Sequence, residues 1–295
     1  MRRLRALLFL LAGGLSACTS AAPPVAPGYY GPTLRLEEVV ARVNENNAKI
    51  PTLWARQRFE ATVVDRAKNK SQRIEGYGTL LYTGPNQMRL KAKNELADLF
   101  DMGSNGKQFW LWEMHDQIFW WGDYSAAENI ESAEIPVRPD TVMEILGVQP
   151  VDSSLLHPPI PTLRFNNRAD AYMVDWQSPD SEHWATAKEI WYDRQTLRPE
   201  KVLLFDERGR VALWAQLSNY VQVKVAGEDQ SGWPWIAGVY QLFFPYTGTR
   251  MSFELSDVSL STNGRPNSTT YQMPDPAVLS ESGVRVNHID AQNGR

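Results

Sequence analysis

The chain has 295 residues, a formal net charge of −4 and a sequence pI near 5.7, with 43% hydrophobic and 22% charged residues. That balance is enough for a sizeable buried core, and it disfavours a nucleic-acid partner, which calls for a basic surface. With one cysteine, Cys18, no internal disulfide can form, so packing alone must hold the fold.

The chain opens with Arg2, Arg3 and Arg5, followed by an apolar run from Ala6 to Leu15 and then small residues. This is the order of a secretory signal peptide, and about ten apolar residues are too few for a bilayer core that needs roughly 20. Leu15-Ser16-Ala17-Cys18 places the one cysteine at the cut. The stretch resembles the bacterial lipobox, which implies a diacylated Cys18 and a leader spanning 1–17. The alternative is an ordinary signal peptide that contains Cys18. Lipidation leaves a mature chain of 278 residues carrying a formal charge of about −7. One acyl chain anchors only marginally, and the three usual on a lipoprotein cysteine imply a permanent anchor. Thr19 follows the cysteine where Asp would signal inner-membrane retention. By the same resemblance, that points to the outer membrane of a Gram-negative-type envelope, facing the periplasm.

Residues 18–33 then read as the lipidated cysteine and a tether rich in Pro, Ala, Ser and Gly, with no apolar period. At about 3 Å per residue, it reaches roughly 45 Å. Leu34 to Ile50 predicts a helix with Leu36, Val39, Val40, Val43 and Asn47 at helical spacing, Thr33 as N-cap and Pro51 as its stop.

From there the chain reads as strands separated by turns. Leu53 to Val64 alternates, with Leu53, Ala55, Phe59, Ala61 and Val63 opposite Arg56, Arg58, Glu60 and Thr62. Strands follow over 73–83, 87–92, 107–114 and 118–124, with the hairpin signal Ser104-Asn105-Gly106 before the third of these. Pro139 to Gly147 predicts a short helix with Asp140 in its first turn. Strands resume between 162 and 260, and residues 275–295 read as a loosely held polar tail. The total is ten or eleven strands and two helices in one domain over 34–274, with short turns that favour antiparallel pairing.

This order of elements resembles the family of the lipoprotein carrier LolA, its outer-membrane receptor LolB and the LolA-like lipoproteins. The resemblance rests on Gly76-Tyr77-Gly78-Thr79-Leu80, Gly84-Pro85-Asn86-Gln87-Met88-Arg89 and Asn105-Gly106-Lys107-Gln108-Phe109-Trp110-Leu111-Trp112. Tyr192-Asp193 with Leu197-Arg198-Pro199, Phe253 to Val258 and Tyr271 to Pro274 extend it over about 36–275. It implies a mainly β (α+β) fold with few helices: a half-open, strongly curved antiparallel β-barrel of about eleven strands closed by helices. An apolar concave side would receive acyl chains. Two features depart from the pattern. The position of the carrier's lid-holding arginine is Gly84 here, and the receptor's protruding hydrophobic loop has no clear counterpart.

Alternation selects candidate cavity residues: Leu53, Phe59 and Val63 on the first strand, Trp110, Trp112 and Met114 in the aromatic block, and Met251, Phe253 and Leu255 on the last strand. An ordinary core beneath the helices accounts for the same residues. Val142, Met143, Ile145 and Leu146 form the candidate lid, which could equally be a static cap. Trp233-Pro234-Trp235 reads as a strand start or a surface hot spot.

Catalytic motifs are lacking. The four histidines stand far apart in sequence with no metal-ligand spacing, and there is no nucleophile elbow or phosphate-binding glycine loop. The expectation is a non-catalytic protein without cofactor or metal, held to the membrane by Cys18 and binding a hydrophobic lipid or lipoprotein, with a periplasmic carrier or envelope protein as partner. The alternatives are an accessory envelope lipoprotein that docks a protein and, behind both, a hydrolase of glycans or lipids.

Overall fold

A computed structural model describes residues 32–65, 70–125, 137–179, 183–206, 208–260, 267 and 269–289. Cys18, the leader and the tether up to residue 31 lie outside the described residues.

Helix α1 (Leu36–Asn47) turns Val39, Val40, Val43 and Asn47 inward. Its N-cap is Arg35 rather than Thr33, and the Arg35 amide is satisfied by Glu38 Oε2 at 2.8 Å, reaching back from the first turn.

Six strands follow: β1 (Thr52–Asp65), β2 (Lys70–Thr83), β3 (Gln87–Lys93), β4 (Asp98–Asn105), β5 (Gln108–Glu113) and β6 (Ile118–Asp123). Helix α2 (Pro139–Leu146) separates them from β7 (Ile160–Asn166), β8 (Ala171–Pro179), β9 (Trp184–Asp193), β10 (Pro199–Phe205) and β11 (Val211–Ser218). A small ribbon of β12 (Val221–Gln222) and β13 (Trp235–Ile236) precedes β14 (Val239–Phe244) and β15 (Thr249–Ser259). Helix α3 (Pro276–Glu281) and β16 (Arg285–His288) complete the order.

Among the described residues the large sheet has 14 strands, in the order β16-β6-β5-β4-β3-β2-β1-β15-β14-β11-β10-β9-β8-β7. It is therefore mixed and open, not a barrel of about eleven strands. The pairing of β16 with β6 is parallel, and among the described residues β16 and β7 form the two edges. The chain-order hairpins are antiparallel, and β1 joins the two halves by pairing with β2 on one side and β15 on the other.

One main core draws on both halves of the sheet and both long helices: Val39 and Val43, Leu53 and Leu80, Met143 and Ile145, Tyr172 and Val174, Leu213 and Leu255. Side chains from strands so far apart in the sheet order meet only because the sheet curves around them. The curvature gives a concave side roofed by α1 and α2.

The opposite face of β5 and β6 has its own core. Trp110, Phe119, Leu279 and Val284 are buried together, with Trp112, Trp121, Met273 and Val286 packed around them. The stretch read as a loose tail is thus α3 and β16, which cover the convex face. Asp275 caps α3 by accepting from the Ala277 amide at 2.9 Å. Trp110 is completely buried there, and burying a side chain of that size contributes roughly 4–6 kcal/mol by area.

Candidate functional site

The site is built from β1, β2, β3, β14 and β15 below and α2 above. Along β1, Leu53, Ala55, Gln57, Phe59 and Ala61 are buried, while Arg56, Arg58 and Glu60 between them are exposed. The period of two thus holds for burial from Leu53 to Ala61, and it also places Gln57 on the buried phase.

Helix α2 starts at Pro139, whose missing N–H costs nothing at a first helical position, and ends at Gly147, whose φ of 68° suits a residue without a side chain. Its buried residues are Pro139, Val142, Met143, Ile145 and Leu146, so all four candidate lid side chains point into the core. Few polar contacts fasten it. Glu144 pairs with Lys188 of β9, whose ammonium also lies 4.5 Å from the centre of the Trp176 ring. Asn47 Nδ2 donates to the carbonyls of Gly147 and Gln149 at 3.2 and 2.8 Å, and the Tyr240 hydroxyl donates to the Leu146 carbonyl at 3.4 Å. At the other end, Arg138 grips Asp140 with two bonds of 3.0 and 2.9 Å and lies over the Phe109 ring.

Beneath α2 is a cavity of about 30 Å³, lined by Val142, Ile145 and Leu146 above and by Gln57, Leu80, Leu90, Tyr240, Leu242, Phe253 and Leu255 below. That volume holds a water or two; ligand sites run from about 300 Å³ upward. Aliphatic and phenylalanine side chains fill the rest. Two polar groups enter this lining. Gln57 donates from Nε2 to the Lys91 carbonyl at 3.2 Å, while its Oε1 is buried without a partner among the described residues. Tyr240 is the other, and burial pushes its hydroxyl far above the ordinary phenol range.

The sequence-selected cavity residues divide between faces. Leu53 lies in the main core, and Leu255 lies there too, beside the cavity. Phe59 belongs to a smaller cluster with Ala61 and Ala92, against which Met251 and Phe253 pack. Val63 is 39% exposed. Trp110 and Trp112 point to the convex face, under α3 and β16, and it is Phe109 and Leu111 that face the main core. The all-apolar face of β5 misleads because both of its faces are covered. Met114 falls in the turn after β5 and so is not on either strand face. Leu80, Leu90, Tyr240 and Leu242 were missed, although each lies on the buried phase of its own strand and alternation could have found them.

Ionisable groups collect elsewhere. Asp175 and Glu189 are buried on the face of β8 and β9 opposite the main core, and Arg164 bonds Asp175 at 2.6 and 2.9 Å and Glu189 at 2.8 Å. Burial pushes the Glu189 carboxyl up, and Asp175 beside it adds to the shift. Among the described residues, no group of three or more His, Cys, Asp or Glu side chains could hold a metal ion.

No protein-family model matches the chain, and no curated protein matches it in sequence. Solved structures do match in fold. A DUF1329 family protein from Desulfovibrio piger superposes with a TM-score of 0.54 at 8% identity, covering 79% of this chain and 96% of that one. A LolA superfamily protein from Nitrosomonas europaea gives 0.51 at 11% identity, covering 82% and 99%. A Vibrio parahaemolyticus domain assigned to outer membrane lipoprotein sorting gives 0.50 at 13% identity, covering 82% and 98%. The fold is LolA/LolB-like.

Proposed function

We propose that this protein is a non-catalytic, lipid-anchored envelope protein that holds a hydrophobic ligand on the concave face of its sheet. The ligand class is lipoprotein acyl chains or another envelope lipid, and the role is lipoprotein sorting or lipid transfer. The observation that carries the reading is the roof: an eight-residue helix whose buried side chains are all apolar, over a cavity in which Gln57 and Tyr240 are the polar members of an otherwise apolar lining. The assignment of the Vibrio domain to lipoprotein sorting supports it. The anchor is Cys18, the location the outer membrane facing the periplasm, and the partner in transfer a carrier or another envelope protein.

The cavity of about 30 Å³ sets a condition on this function. An acyl chain fits only where α2 lifts and the chain takes over the volume of Val142, Met143, Ile145 and Leu146. The filled interior is also the observation that favours a second reading, an accessory lipoprotein whose sheet docks a protein and whose core stays closed.

Titration of a fluorescent fatty acid into the leader-free Cys18→Ala chain separates the two. Saturable uptake, displaced by unlabelled fatty acid, is expected for the first reading. A folded chain that takes up no probe leaves the second.

A further inference from the structure

On the far side of the last turn of α2 lies a cleft of about 210 Å³ with different chemistry, between the C-terminal end of α1, residues 146–148 and the turn from β9 to β10. Arg198 in that turn sets its guanidinium 3.5 Å from the centre of the Trp235 ring and 5.7 Å from that of Tyr220. Four arginines among the described residues are half-buried: Arg89, Arg138, Arg194 and Arg198. The first three bind Asp101, Asp140 and Asp170 respectively. Of these four, Arg198 alone has no carboxylate partner among the described residues.

A cation withdrawn from water without a counter-ion is costly, and stacking on an indole compensates only in part. Burial pushes the Arg198 guanidinium below its ordinary range, against the weaker opposing influence of Tyr220 and Asp193. The polar neighbours already carry bonds of their own. The Tyr220 hydroxyl donates to the Pro199 carbonyl, Asp193 accepts from the amide and hydroxyl of Thr196 at 2.6 Å each, and Asn46 is bonded in both directions to the backbone of Trp235. With one face on the indole, the donor edge of the guanidinium remains for an oxyanion. Arg42 adds a second positive charge to the lining, and the one carboxylate there, Glu45, is exposed.

We propose that this cleft binds a phosphate group, held by the Arg198 guanidinium, with Val43, Leu197 and Trp235 as the apolar wall for whatever the phosphate is esterified to. The cleft is open with α2 in place, so phosphate binding does not require that helix to lift, although Leu146 belongs to both linings.

Isothermal titration of the full chain in non-ionic detergent tests it, with inorganic phosphate in one arm and dihexanoyl phosphatidate in the other. Saturable binding in either arm, weakened roughly tenfold or more by Arg198→Gln, supports the site. Binding of inorganic phosphate identifies a free-anion site, and binding of the lipid alone identifies a headgroup site. Arg198→Lys keeps the charge and loses the planar fork; it is expected to weaken binding as well and serves if R198Q does not fold. No binding in either arm at millimolar ligand, or binding that the folded variants leave unchanged, overturns the proposal. Because neither result depends on the fatty-acid titration, the two readings fail separately.

Discussion

Glu144 of α2 and Lys188 of β9 form an ion pair that ties the roof of the concave face to the sheet. Both side chains are partly exposed, at 30% and 23%, so the pair stabilises the fold by no more than about 1 kcal/mol. Its importance is positional. Replacing Glu144 by Gln is expected to leave the melting temperature nearly unchanged while speeding fatty-acid uptake measured by stopped-flow fluorescence. An unchanged rate means that α2 is not the gate.

Gln57 is the weak point of the apolar face. It is 2% exposed and its Oε1 has no partner among the described residues. An unpaired buried acceptor costs about 1–3 kcal/mol, against which the Nε2 bond to Lys91 returns about 1. Gln57→Leu is therefore expected to stabilise the chain by about 1 kcal/mol in urea unfolding. Destabilisation would mean that the oxygen meets a buried water or a ligand group.

Gly103 and Trp110 are cross-strand neighbours, and a Cβ on Gly103 would sit 2.2 Å from the indole Cζ2. Gly103→Ala must displace Trp110 and with it the packing of Leu279 and Val284. The expected loss is about 1–3 kcal/mol, with faster hydrogen exchange confined to α3 and β16. Uniform loosening of the whole sheet would contradict the division into two cores.

Glu189 makes stability depend on pH. Its carboxyl titrates above its ordinary value in the folded chain, chiefly through burial and then through Asp175. A raised folded value means that the folded state holds the proton more tightly than the unfolded one, so its contribution is complete in acid and lost as pH rises through that value. Relative to wild type, Glu189→Gln should gain stability from pH 4 towards neutrality, read as a growing difference in melting temperature. A difference that stays flat or shrinks over that range would contradict the assignment.

Much of the fold was legible because it is periodic. The buried stripe Val39, Val40, Val43 and Asn47 follows from helical spacing, and the inward phase of β1 from alternation. Helix α2 declared itself through Pro139 and Gly147. What failed was any inference about which face is inside when both are covered. Trp110 and Trp112 looked like the interior because their face is the more apolar one, yet α3 and β16 bury it from outside. Those two elements escaped notice because six and four residues are too few to establish a period. Arg198 also could not be singled out from sequence, since its lack of a counter-ion is a fact of packing.

For acyl-chain binding the concave face must open beneath α2. Mass spectrometry of lipids co-purified with the leader-free Cys18→Ala chain, exposed to native membranes, tests it most directly. About one acyl-chain lipid per protein, displaced by excess fatty acid, is the expected result. A folded chain recovered with no bound lipid would contradict it.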